Sequence, residues 1–159
     1  MDNRARLVGI VGVAAAATLF AFVPAKEGTR YVPYYDAAGV YTVCNGSTKN
    51  VENRTYTPEE CGEKLADELA NHAEGALKCL TKPTTPGQRI AYVSLAFNIG
   101  TTAFCRSSVV RYHNAGDMVR ACASISMWDK AVVNGQLVPL PGLVKRRAEE
   151  RAYCERRGA

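Results

Sequence analysis

The chain has 159 residues, 47% of them hydrophobic and 22% charged, with 13 glycines and 7 prolines, which excludes collagen-like and disordered chains and fits an ordinary globular protein. The net charge is +5, and without the first 25 residues there remain 18 Lys and Arg against 14 Asp and Glu. That mild excess suits an anionic polymer, but the basic residues are not interleaved with aromatics into a stacking platform, so no nucleic-acid partner is expected.

Residues 7–23 carry no charge, and Arg4 and Arg6 stand just before them. As a helix this run is about 25 Å long, just short of a hydrocarbon core of about 30 Å. Nearly half of it is small or weakly apolar (Gly9, Gly12, four consecutive alanines, Thr18 and Ala21), so it holds to lipid weakly. Residues 1–25 are therefore read as an N-terminal anchor helix whose basic end stays in the cytoplasm, and residues 26–159 as an exported domain. A cleaved secretory signal ending at Val23-Pro24-Ala25 is the alternative. The six cysteines agree with export: the nearest pair is Cys44 and Cys61, there is no Cys-x-x-Cys, and an even, widely spaced set reads as three disulfides.

Residues 30–56, rich in Tyr, Val and Thr and broken at Ala38-Gly39 and Asn45-Gly46, predict a small antiparallel element of two or three strands. Thr57-Pro58-Glu59-Glu60 is a capping-box start, and Cys61, Leu65, Leu69, Ala73, Ala76 and Leu80 follow at helical spacing. Pro86 opens a more buried helix that Gly100 closes. Shorter helices fit residues 104–114 and 117–128, residues 132–141 read as loop, and a last helix runs to about Arg156. On that last helix Arg146 with Glu150 and Arg151 with Glu155 predict a salt-laced, exposed face. The fold class is α+β. Of the fifteen pairings that six cysteines allow, the element positions favour Cys44 with Cys61, Cys79 with Cys105, and Cys122 with Cys154.

Chemistry concentrates in residues 26–46. Glu27 and Asp36 lie nine apart, with Thr42 six further on, at a helix-to-sheet junction. Glycosidic cleavage needs one protonated carboxyl to serve the leaving oxygen and a second group to hold water or stabilise the sugar cation. On spacing alone the non-catalytic reading is favoured, with Glu27 as the polar end of an apolar segment and Asp36 as a turn residue before Ala-Ala-Gly. His72 and His113 show no ligand spacing and are expected to be partly exposed; no metal or cofactor is expected. Ser107 and Ser108 lack a His/Asp set, and Trp128 reads as core.

The pattern Glu-Gly-x-x-Tyr-x-Pro-Tyr-x-Asp-x-x-Gly-x-Tyr-Thr-x-Cys-x-Gly starting at Glu27 resembles the catalytic stretch of the tailed-phage lysozymes, glycoside hydrolase family 24. Ala96-Phe97-Asn98-Ile99-Gly100, Phe104-Cys105-Arg106-Ser107-Ser108 and Val138-Pro139-Leu140-Pro141-Gly142-Leu143 extend the likeness over residues 26–157. With the Gly/Ala-rich anchor in front, the chain is similar to the signal-anchor-release endolysins of phages of Gram-negative hosts. The resemblance implies a lysozyme-like fold and hydrolysis of the β-1,4 bond between N-acetylmuramic acid and N-acetylglucosamine in peptidoglycan. It implies Glu27 as general acid, Asp36 as the residue that holds water or stabilises charge, and Thr42 as a water-placing residue. Asn98 would line the glycan cleft or else cap its helix from a buried position, and Arg146 or Arg147 would pair with Glu27. Glu27 is expected to be buried near another carboxylate, which would keep it protonated. The partners implied are glycan strands and, through residues 7–23, the inner membrane. A monomer is expected, first tethered and then released into the periplasm. A lytic transglycosylase and a non-catalytic disulfide-bonded envelope binding or inhibitor protein are the rival readings.

Overall fold

The computed structural model describes residues 2–156, which form two compact units, the first up to Asn71 and the second from His72. In the first unit the uncharged segment forms two helices in place of one: α1 (Asn3–Val11) and α2 (Val13–Glu27), bent by 116°. Gly12 makes the break, with a φ of 92° that a residue bearing a Cβ adopts only under strain. No single helix among the described residues is long and apolar enough to cross a membrane, though the bent pair has the length and composition to do so together. Leu7, Val11, Ala15, Ala16, Leu19 and Val23 are buried, so the segment's apolar stripe is covered in this form. Asp2 caps α1 by accepting from the Arg4 amide at 2.8 Å.

Strand β1 (Arg30–Tyr35) pairs antiparallel with β2 (Tyr41–Cys44), Tyr34 opposite Thr42 and Tyr35 opposite Tyr41. A tight return follows, in which Val43 and Ser47 exchange both backbone hydrogen bonds at 2.9 Å. Helix α3 (Pro58–Lys78) starts on the expected capping box: the Thr57 amide donates to the Glu60 carboxylate at 2.8 Å, and the Glu60 amide donates to Thr57 Oγ1 at 3.1 Å. Within the first unit Arg4 pairs with Glu63 at 3.6 Å and Arg6 donates to Asn71 Oδ1 at 2.9 Å, so α1 lies along α3. The Cys44–Cys61 disulfide ties β2 to the start of α3.

The second unit is mainly helical: α4 (Pro86–Ile99), α5 (Thr101–Cys105), α6 (Ser108–Asn114), α7 (Met118–Ser124) with a 3-10 turn at Ile125–Met127, and α8 (Pro141–Cys154). Its core gathers Tyr92, Leu95, Phe104, Val109 and Ile125 around α4, with Trp128 packed at the edge. The single helix expected over residues 104–114 is interrupted at Arg106, because Ser107 caps a new one by accepting from the Val110 amide. Residues 132–141 were expected as loop, yet β3 (Lys130–Val133) and β4 (Gln136–Pro139) form a four-pair antiparallel hairpin. Its turn is Asn134-Gly135, both with positive φ, the backbone a two-residue hairpin turn requires. Cys79–Cys105 and Cys122–Cys154 complete the expected disulfide map. His113, expected to be partly exposed, is fully buried: its Nε2 donates to the Lys82 carbonyl at 3.1 Å, so Nδ1 accepts from Tyr92 Oη at 3.0 Å. Burial pushes the Tyr92 phenol above its ordinary value.

Candidate active site

Glu27 is the last residue of α2. Gly28, at φ 75°, ends the helix by donating its amide to the Pro24 carbonyl at 2.8 Å and turns the chain into β1. This is the helix-to-sheet junction that the sequence predicts. The expected burial of Glu27 is not found: the residue is exposed, because it stands beyond the buried stripe of α2 that ends at Val23.

Asp36 closes the turn between β1 and β2. Its Oδ1 accepts from the amides of Ala38 and Val40, each at 2.9 Å, and its own amide donates to the Val40 carbonyl at 3.0 Å. The turn thus consumes one carboxylate oxygen, and Oδ2 accepts no hydrogen bond among the described residues. The turn reading of Asp36 holds, and the side chain still presents a second carboxylate oxygen as an acceptor. Thr42 is 2% exposed, and its Oγ1 donates to the Val40 carbonyl at 2.7 Å. With that proton committed, the hydroxyl can only accept from anything further. Asp36 and Thr42 are therefore fixed through the same residue, Val40, and both offer acceptors.

Asn45 is a positioning residue that the sequence reading missed. At 5% exposure, its Nδ2 donates to the Gly28 carbonyl at 2.6 Å and to Thr29 Oγ1 at 2.8 Å, which fastens the residue after Glu27 to the end of β2. In sequence, Asn45-Gly46 reads as turn chemistry alone, and nothing local announces a side chain reaching back 17 residues. Ser47 anchors the same return by donating to Glu68 Oε1 on α3 at 2.6 Å.

In the second unit Asn98 is exposed, which removes the alternative of a buried cap; its Oδ1 accepts from Arg147 Nη1 at 2.9 Å. The face of α8 expected to be salt-laced and exposed divides in two. Arg151 and Glu155 pair near the surface, whereas Arg146, Arg147 and Glu150 are at most 4% exposed. Arg146 Nη2 reaches the Ser94 carbonyl on α4 at 3.3 Å, and Arg147 Nη2 donates to Glu150 Oε2 at 3.1 Å. Burial pushes the Glu150 carboxyl above its ordinary value, with Arg147 and Arg146 opposing the shift. The i,i+4 spacing was read correctly as contact, but the partner helix α4 decides that this pair is interior. Among the described residues no group of three or more His, Cys, Asp or Glu is arranged to hold a metal.

The phage lysozyme family model matches residues 24–150, which include the junction, the turn and Thr42. The chain belongs to the phage lysozyme family. Among curated relatives of this lysozyme, an endolysin of Acyrthosiphon pisum secondary endosymbiont phage 1 is 38% identical over 130 residues, covering 81% of this chain and 89% of the relative. The SAR-endolysin of Pseudomonas phage phiKMV is 32% identical over 144 residues, covering 90% and 89%. Among solved structures, the muramidase domain of SpmX from Asticaccaulis excentricus superposes with a TM-score of 0.82 at 29% identity, over 87% of this chain and 95% of that one. A mutant of P22 lysozyme gives 0.73 at 29%, over 86% and 94%. This lysozyme is accordingly an α+β glycoside hydrolase of the endolysin class, a degrader of peptidoglycan.

Proposed function

We propose that Glu27, Asp36 and Thr42 carry the hydrolysis. A water that donates one proton to Asp36 Oδ2 and the other to Thr42 Oγ1 has its lone pairs free for the anomeric carbon. The observation that supports this reading is the shared tie to Val40, which leaves two acceptors on the same short hairpin. As the water oxygen bonds to the anomeric carbon, the glycosidic C–O bond breaks. Glu27 gives its proton to the departing oxygen, and Asp36 takes the proton that the water loses. Each product then ends in a hydroxyl, unlike the anhydro sugar of a transglycosylase, for which a water held between two acceptors has no use. Asn98, exposed and accepting from Arg147, is assigned to the glycan.

The test is Glu27→Gln. It should abolish release of reducing ends from purified peptidoglycan while leaving the melting temperature nearly unchanged, because the residue is exposed. Retained turnover would remove Glu27 from the mechanism.

Residues 7–23 first tether the enzyme to the inner membrane and later leave it intact. The uncharged run between Arg6 and Lys26 and the SAR-endolysin relatives support this, as does the weak, Ala-rich grip such a segment has on lipid. Exported protein should fractionate with membranes at full length and, after collapse of the membrane potential, appear in the soluble fraction with residues 1–25 still attached. A soluble active form beginning near Lys26 would defeat the release step and support a cleaved signal.

A further inference from the structure

The hairpin of β1 and β2 exposes a surface to which the mechanism assigns no work. Between Tyr31 and Val40 the exposed positions are Tyr31, Val32, Tyr35, the Ala-Ala-Gly tip at residues 37–39, and Val40, and none of them is charged. Tyr35 is 73% exposed and Val32 61%. The one charged residue of the stretch, Asp36, is partly buried and turns one oxygen inward to the Ala38 and Val40 amides. A surface turn is ordinarily built of polar residues, and this tip is not. The flank is also stiff: Tyr35 stacks on Tyr41 with ring centroids 5.0 Å apart, and Tyr41 Oη donates to Asn53 Oδ1 at 3.3 Å.

The chain itself says where this surface lies while residues 7–23 span a bilayer. Helix α2 continues past Val23 through Pro24, Ala25 and Lys26 to Glu27, a length of about 6 Å, and the headgroup layer on each side of the hydrocarbon is about 5–8 Å deep. The end of α2 therefore stands in that layer. Only Gly28 and Thr29 separate it from β1, Gly28 turns the chain at a φ of 75°, and Asn45 ties the end of β2 to the same two residues, so the hairpin has no slack at its base. Lys26 and Arg30 place cations at that base, which suits anionic headgroups. Tyrosine is suited to the same boundary, with its ring among acyl chains and its hydroxyl wet.

We propose that this hairpin is a second membrane contact, lying along the headgroup layer of the inner membrane while residues 7–23 span it; the proposal rests on the tethering reading above. Tyr31, Tyr35 and Val40 occupy the boundary between headgroups and acyl chains, and the turn that carries Asp36 is withheld from glycan until the segment leaves. Release of the anchor and exposure of Asp36 are then one event.

The test compares the full-length protein with a Tyr31→Ser/Tyr35→Ser double variant. When an uncoupler is added to cells, the double variant should leave the membrane fraction about tenfold faster than the parent, and once released it should hydrolyse purified peptidoglycan with the parent's kcat and KM. Tyr35→Trp should leave more slowly than the parent, a direction that loss of fold does not produce. Reconstituted under an imposed potential in vesicles of phosphatidylethanolamine and brominated phosphatidylglycerol, the Tyr35→Trp protein should show quenching that the parent, whose single tryptophan is Trp128, does not, and the quenching should vanish when the potential is collapsed. Equal release of parent and double variant, or no quenching while the segment is inserted, would overturn the contact. A raised KM in the double variant would assign the surface to glycan, and self-association of the parent that the double variant lacks would assign it to a second copy; either would overturn it too. A parent protein already soluble before the potential collapses would instead strike the tethering reading, and the contact with it.

Discussion

Replacing Asn45 by Ala removes both side-chain bonds that join the end of β2 to the segment following Glu27, those to the Gly28 carbonyl and to Thr29 Oγ1. Each such bond contributes about 1 kcal/mol net, so the substitution should cost about 2 kcal/mol. For a chain of this size each kcal/mol lowers the melting temperature by roughly 2–4 °C, which gives a fall of roughly 4–8 °C. The catalytic effect should exceed the stability effect. Glu27 sits one residue before the released carbonyl, and a misplacement of about 1 Å is enough to cost on the order of a hundredfold in rate. Asn45→Asp is the discriminating partner: it keeps the shape, but an ionised carboxylate has no proton to donate and would turn negative charge toward the Gly28 carbonyl. Both variants should therefore lose kcat on purified peptidoglycan at temperatures well below their melting points, with KM little changed. Asn45→Ala that melts early yet keeps full kcat would refute the reasoning and leave Asn45 a purely structural residue.

Gly12→Ala should favour the straight, membrane-spanning helix. Alanine gains about 1 kcal/mol of helix propensity there and is strained by about 1–3 kcal/mol at the φ of 92° that the bent form requires, so after depolarisation a larger fraction of enzyme should stay with the membrane; equal release would refute this. The hydrogen bond from Arg54, reinforced by the Thr57 amide, holds the Glu60 carboxyl down at about 2, below its ordinary 4.5. Its contribution to stability is present above pH 4.5 and disappears as pH falls toward 2; Glu60→Gln should flatten that part of the acid-melting profile, and an unchanged profile would remove Glu60 from acid sensitivity. Replacing Cys44 and Cys61 by Ser opens a loop spanning 17 residues, worth about 3 kcal/mol of chain entropy, so the melting temperature should fall by roughly 6–12 °C; a negligible shift on calorimetry would refute the estimate.

Much of this protein was legible in its residue order because the deciding interactions are local. The capping box at Thr57 and Glu60, the helix closed by Gly100 and the junction after Glu27 each depend on residues within one turn of one another. The disulfide map followed from them, since cysteines at the ends of correctly placed elements have few partners within reach. The grouping of Glu27, Asp36 and Thr42 came from the resemblance to the tailed-phage lysozymes, because their spacing alone did not separate a catalytic set from a polar helix end and a turn residue. Tertiary structure decided the rest. Fifteen of the first 27 residues form α2 and nine form α1, and burial of their shared apolar stripe favours the break that Gly12 permits over one straight helix. An i,i+4 pair such as Arg146 and Glu150 has the same spacing on a wet face as on a dry one, and the approach of α4 alone made it interior. Asn45 reaches across 17 residues, and Arg106, Arg111 and Trp128 share a cleft from three separate elements. Contacts of that kind exist only after the chain has folded, because loop closure, which sequence periodicity does not encode, is what brings their partners together.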